Sequence, residues 1–160
     1  SMSNYEPAKK ALLELKALDA KVYPSNETLA VALKGEEVWI TVMWLARGYQ
    51  WQKAGINLRH AFPKEGATPI LYQGAMPKNA QHKDPAYRYL NAMLDPRAQQ
   101  GFAAKMGYVP TVTNAKLPED LMAQIGFTPK EQEAFLLPDY AYVAQHSRDI
   151  FDFWNRQFKG

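Results

Sequence analysis

EVWITVMWLARGYQWQKAGINLRHAFPKEGATPILYQGAMP, residues 37–77, is the stretch whose reading decides the fold. Val38 to Trp44 is almost unbroken apolar sequence, which predicts a strand covered on both faces, as in a sheet flanked by helices. Leu45 to Ala54 then predicts a short helix closed by Gly55. Ile56, Leu58, His60 and Phe62 alternate with Asn57, Arg59 and Ala61, the period of a strand. Pro63-Lys64-Glu65-Gly66 is a turn, and Pro69 to Ala75 is a further strand leading to Gly74-Ala75-Met76-Pro77. Trp39, Trp44, Tyr49, Trp51 and Tyr72 cluster around these strand ends, an arrangement from which small-ligand pockets are often built.

Before this stretch, Pro7 suits a first helical turn, and Ala8, Ala11, Leu12 and Leu15 follow at helical spacing. Lys21-Val22-Tyr23 is a short strand candidate. Ser25 or Asn26 can cap a helix with Leu29, Ala30 and Leu33 on its buried stripe and Gly35 at its end. Helix and strand alternate through the first eighty residues, so the fold class expected is α/β. Beyond Pro77 the pattern is helical. Asp84-Pro85 and Asp95-Pro96 each pair a cap residue with proline, and Gly107 and Gly126 close helices. Thr128-Pro129-Lys130-Glu131 reads as a capping box, and Val143, Ser147, Ile150, Phe151, Trp154 and Phe158 line one face of a last helix.

The 160 residues are 47% hydrophobic and 12% aromatic, enough for a core and too apolar for disorder. Nineteen basic and sixteen acidic residues are interspersed, so the net charge of +3 gives no clustered basic face, and no nucleic-acid partner is expected. No apolar run approaches the ~20 residues that cross a bilayer, so the expectation is a soluble chain without a membrane span. Cysteine is absent, which removes disulfides, thiolate metal sites and cysteine nucleophiles but does not fix the compartment. Ser1-Met2 is read as a cleavage scar, with the native N-terminus removed.

Catalytic patterns are missing. His60, His82 and His146 lie far apart without metal-ligand spacing, so neither a metal nor a cofactor is expected. There is no nucleophile elbow, phosphate loop or dinucleotide fingerprint. Glu36-Glu37 falls at a turn, where a solvated loop is the simpler reading than a catalytic dyad. The expectation is a protein that is not an enzyme.

The order of segments resembles the spermidine/putrescine-type periplasmic solute-binding proteins of bacterial ABC transporters. The residues that carry the resemblance are Leu33-Lys34-Gly35-Glu36-Glu37-Val38-Trp39-Ile40, Phe62-Pro63-Lys64-Glu65-Gly66, Gly74-Ala75-Met76-Pro77-Lys78-Asn79-Ala80, Asp84 through Asn91 with Leu94-Asp95-Pro96, and Gly107-Tyr108-Val109-Pro110-Thr111. They extend over about 120 residues, and their order is more specific than any one of them. The resemblance implies a partial type II periplasmic-binding-protein fold: the second lobe plus C-terminal helices, with the first lobe largely missing. On that plan residues 4–68 form the α/β part of the second lobe. Residues 69–110 form a crossing strand and helices that complete the first lobe, and 111–160 are return helices. It further implies a periplasmic protein that delivers a small-molecule solute to an ABC permease, from a cleft of which this chain holds at best half.

By the same resemblance Trp44 is a wall against the ligand, while Arg47 and Tyr72 fall where polyamine binders of the family carry Asp. A cation and a phenol in place of two carboxylates leave a ligand ammonium without partners, which is costly when buried. Trp44, Arg47 and Tyr72 are therefore the candidate ligand residues, for an anionic or zwitterionic solute and not a polyamine. An enzyme or a sensory domain reusing the same fold is the alternative. The stripe Ala86, Leu90, Met93, Leu94, Phe102 and Met106, lacking the lobe it packs on in the family, predicts that this chain self-associates as a dimer.

Overall fold

The computed structural model describes residues 4–160, so the expected scar at Ser1-Met2 lies outside the described residues. Among these, the backbone forms nine α-helices: α1 (Glu6–Lys16), α2 (Asn26–Lys34), α3 (Leu45–Lys53), α4 (Lys83–Met93), α5 (Pro96–Met106), α6 (Glu119–Ile125), α7 (Pro129–Glu133), α8 (Tyr140–Gln145) and α9 (Ser147–Phe153). A π-helical turn, Trp154–Phe158, continues α9. The chain divides into two units, one made of residues 1–31 with 136–160 and the other of residues 32–135. The family-derived boundaries near 68 and 110 follow a different principle of division and remain an expectation.

In the larger unit the core is Tyr49 of α3, Ala103 of α5, and Leu121 and Ile125 of α6, with Leu117 packed against them. The Tyr49 hydroxyl donates to the Ala104 carbonyl (2.9 Å), Gln50 Nε2 to the Met106 carbonyl (3.0 Å) and Lys53 Nζ to the Ala104 carbonyl (3.3 Å). Three side chains of α3 thus satisfy carbonyls at the C-terminal end of α5, two of them on one oxygen, groups that a helix leaves without partners of its own. Helix α5 starts on Asp95, whose carboxylate accepts from the Arg97 and Ala98 amides, and ends on Gly107 at φ 75°. A second aromatic cluster joins Phe62, Phe127 and Phe135, with ring centroids 5.1–6.2 Å apart. Thr128 and Glu131 close the capping box of α7 as its sequence predicts.

In the smaller unit, Tyr5 meets the rings of Tyr142 and His146 edge-on, and Tyr142 and His146 stack at 4.0 Å. Lys9 lies over the rings of Tyr5 and Phe153. Lys16 Nζ donates to the carbonyls of Gln157 and Gly160, holding the C-terminal turn to α1. The single long C-terminal helix expected from sequence is interrupted at His146 and becomes α8, α9 and the π turn. Phe153 and Phe158 are the buried residues there, while Phe151, expected on the inner stripe, is exposed.

The α/β expectation needs correction. The strands expected at Lys21-Val22-Tyr23, Val38–Trp44, 56–62 and Pro69–Ala75 are extended or irregular backbone without ladders, and the only β-pairing among the described residues is an isolated parallel bridge between Ala67 and Phe135. The physical reason is that a strand is half of a structure. Its backbone hydrogen bonds come from neighbouring strands, and among the described residues no strand pairs with these segments. The apolar run keeps its composition and loses its cover: Trp39 is 85% exposed, Ile40 91% and Val42 98%. Trp39, expected within that covered strand, instead donates its indole N–H to the Glu36 carbonyl (2.8 Å). Two smaller corrections concern caps. His82 and not Asp84 precedes α4, and Gly126 is extended after α6 instead of left-handed.

Candidate functional site

Residues 32–135 bring three of the relevant side chains to one place. Trp44 precedes α3 with extended backbone, and its carbonyl accepts from the Arg47 and Gly48 amides (3.0 and 3.1 Å). Arg47 therefore sits in the first turn of α3. Its guanidinium donates to Gln50 Oε1 (3.2 Å), and Gln50 in turn donates to the Met106 carbonyl (3.0 Å). This relay holds Arg47 toward the C-terminal end of α5. There Gly107 turns the chain in the left-handed region, and Tyr108 follows.

Tyr108 is wedged between two rings. Tyr72 meets it edge-on at 5.4 Å and 78°, and Phe102 of α5 lies tilted against it at 5.2 Å. Its pKa is held above the ordinary 10.0, first by a hydrogen-bonding interaction with the Tyr72 side chain, then by burial, then by the charge of Tyr72; the positive charge of Arg47 acts in the opposite direction. The Tyr108 hydroxyl thus keeps its proton at neutral pH and remains a donor. A guanidinium whose charge reaches Tyr108, together with the Tyr72 and Tyr108 hydroxyls, offers several N–H and O–H donors against aromatic faces. This chemistry suits an oxyanion such as a carboxylate, which a guanidinium can hold with two parallel bonds.

Of the three residues singled out from sequence, Arg47 and Tyr72 thus share Tyr108 as a neighbour. Trp44 stands three positions before Arg47 and is about half exposed. Tyr108 and Phe102 escaped the sequence reading as site residues. Tyr108 lay in a loop and Phe102 in an apolar stripe. The available signal was Gly107, because a left-handed cap fixes where the next side chain points.

Two open grooves lie elsewhere. One of about 340 Å³ is lined by Val109, Pro110, Val112, Thr113, Lys116 and Met122, among others. One of about 600 Å³ in the smaller unit includes Glu6, Lys9, Leu13, Phe153 and Gln157. Neither contains Trp44, Arg47 or Tyr72. Polar groups of the larger groove already serve one another: Lys9 Nζ is 2.6 Å from Glu6 Oε1 and lies over Tyr5. The Arg47–Tyr72–Tyr108 cluster is the better candidate on its chemistry. No group of three or more acidic, histidine or cysteine side chains that could hold a metal occurs among the described residues, and no helix there is long and apolar enough to cross a membrane.

The chain is similar to known proteins. The chain is 32% identical over 98 residues to the putrescine-binding periplasmic protein PotF of Escherichia coli, which covers 56% of this chain and 25% of that protein. It is 28% identical over 114 residues to a spermidine/putrescine-binding periplasmic protein of Salmonella typhimurium, covering 71% of this chain and 31% of the relative. The chain thus spans about a quarter to a third of the length of these relatives. Its backbone matches a crystal structure of an ABC transporter from Clostridium perfringens with a TM-score of 0.70 and 22% identity, over 94% of this chain and 48% of that one. That likeness is one of fold, and it accords with a partial version of a larger architecture. The sequence model of bacterial extracellular solute-binding proteins matches residues 6–129. The chain belongs to the family of bacterial extracellular solute-binding proteins.

Proposed function

We propose that this chain forms part of an extracytoplasmic, periplasmic solute-binding protein that serves an ABC importer, and that its ligand is a small anion or zwitterion and not a polyamine. It acts by binding and release, without catalysis. The observation that carries the ligand class is the company Tyr108 keeps: Tyr72 and Phe102 against its ring and the charge of Arg47 nearby. Putrescine and spermidine appear in the names of the relatives. A diamine, however, needs carboxylates to offset the cost of desolvating its ammonium groups, and a guanidinium beside the ligand raises that cost. Arg47, Tyr72 and Tyr108 supply donors to the solute, and Trp44 supplies an aromatic wall. In the complete protein the second face of the site comes from other residues, and closure around the solute signals to the permease.

Calorimetry on a polypeptide long enough to hold the whole cleft tests this reading. Glutamate or succinate should release or absorb heat, and putrescine and spermidine should not. Trp44→Ala should weaken the binding by more than about 1 kcal/mol, the scale of an aromatic anchor. Micromolar binding of either polyamine would overturn the ligand class. Unchanged affinity in folded Trp44→Ala would remove Trp44 from the site.

A further inference from the structure

We propose that Gln50 is the positioning residue of the Arg47–Tyr72–Tyr108 cluster and that its neutral amide sets the preference of that cluster for anions. This rests on the reading of the cluster as the solute site. Arg47 and Gln50 stand three positions apart on α3 and so share a face. The amide has two partners of opposite kind. Its Oε1 accepts from the Arg47 guanidinium (3.2 Å), and its Nε2 donates to the Met106 carbonyl (3.0 Å). A guanidinium can only donate and a carbonyl can only accept. One orientation of the amide therefore serves both, and the flipped one serves neither. The backbone of α5 thus fixes where Oε1 points.

The anchor point gives this bond its consequence. Met106 is the last residue of α5, and Gly107 at φ 75° carries the chain on to Tyr108. Gln50 therefore ties the cation on α3 to the run of backbone that places the phenol. An arginine held beforehand loses less freedom when it closes on a carboxylate than one that must first be ordered. Charge is the second part. The amide occupies one N–H of the guanidinium and leaves its positive charge uncompensated. A carboxylate at position 50 would keep an oxygen on Arg47 but offset that charge, and it could not donate to the Met106 carbonyl. The amide is not needed to hold the helices together. Buried Tyr49 and Lys53 both donate to the Ala104 carbonyl, so α3 keeps two other ties to α5.

Two measurements on the 160-residue chain test this, one without ligand and one with succinate. The Tyr108 pKa, raised first by Tyr72, is lowered by the charge of Arg47. Carbon-13 NMR of the tyrosine rings reads it directly. Gln50→Met, similar in size but without either polar atom, should raise that pKa in the same direction as Arg47→Ala, because a released guanidinium spends less time beside the phenol. In a nitrogen-15 NMR titration, Gln50→Met should weaken succinate binding roughly tenfold, through lost pre-organisation. Gln50→Glu should weaken it at least roughly tenfold more, through like charge beside the ligand. Both variants should keep the circular dichroism of the wild type, and Gln50→Ala replaces Gln50→Met if the latter does not fold. Both lose the Met106 bond, so a residue that merely fastened α3 to α5 would give equal losses, and equal losses would overturn the charge role. An unchanged Tyr108 titration in folded Gln50→Met would overturn the proposal whatever succinate does. A wild-type chain that takes no succinate defeats the solute reading instead, and the Tyr108 titration then decides by itself whether Gln50 positions Arg47.

Discussion

Gly107→Ala should destabilise the larger unit by about 2–5 kcal/mol, and two independent costs combine to give that range. The residue holds φ 75°, and a side chain in the left-handed region costs roughly 1–2 kcal/mol. A Cβ there would also lie 2.6 Å from Cδ1, 2.9 Å from Cγ and 3.0 Å from Cβ of Tyr49. Forcing atoms into a packed core adds about 1–3 kcal/mol. Tyr49 cannot simply retreat, because it is buried in the core and its hydroxyl donates to the Ala104 carbonyl. Gly101, six residues earlier in the interior of α5, provides the opposite case. An added Cβ meets nothing within 4 Å there, and Ala is favoured over Gly in a helix by about 0.8–1 kcal/mol. Urea titrations followed by circular dichroism should therefore move the midpoint down for Gly107→Ala and up for Gly101→Ala, with unchanged slopes. A Gly107→Ala midpoint at or above that of the wild type would refute the packing described between α3 and the end of α5.

Two further outcomes follow from the titratable groups. Tyr72→Phe should lower the pKa of Tyr108, because Tyr72 is the main cause of its elevation, and Arg47→Ala should raise it, because Arg47 opposes that elevation; carbon-13 NMR of the tyrosine ring carbons measures both, and shifts of the opposite sign would separate the three residues. Asp95 has its pKa lowered below 3.8 by the Ala98 and Arg97 amides, so its stabilisation is complete above that ordinary value and is lost as pH falls through the lowered one. Asp95→Ala should accordingly melt below the wild type at pH 7, with the gap closing in acid; a gap independent of pH would show that the charge does not cap α5.

Helices were legible because their signals are local. Pro7, Ser25, Asp95-Pro96, Gly107 and the Thr128–Glu131 box sit where the structure uses them. Even the end of α2 was misread by only one residue. Glu36, at φ 58°, takes the left-handed position expected of Gly35, and the Glu36 and Glu37 amides donate to the Leu33 and Ala32 carbonyls. The strands were misread for a different reason. Period and composition state what a segment can become, but a ladder depends on a neighbour that the segment does not encode. The run Val38–Trp44 reads as a covered strand and lies open. The candidate site was half legible. Arg47 and Tyr72 stood out through departures from a family pattern, whereas Tyr108 required the folded contact between α3 and α5.

The central claim is that the face built from Arg47, Tyr72 and Tyr108 takes an anionic or zwitterionic solute. Its most direct test is a nitrogen-15 NMR titration of this chain, which registers even millimolar binding to part of a site. Succinate or glutamate should shift the resonances of Arg47, Tyr72 and Tyr108 in a saturable manner, and Arg47→Ala should abolish those shifts while leaving the rest of the spectrum intact. Saturable shifts at the same residues with putrescine or spermidine, and none with the carboxylates, would contradict the account.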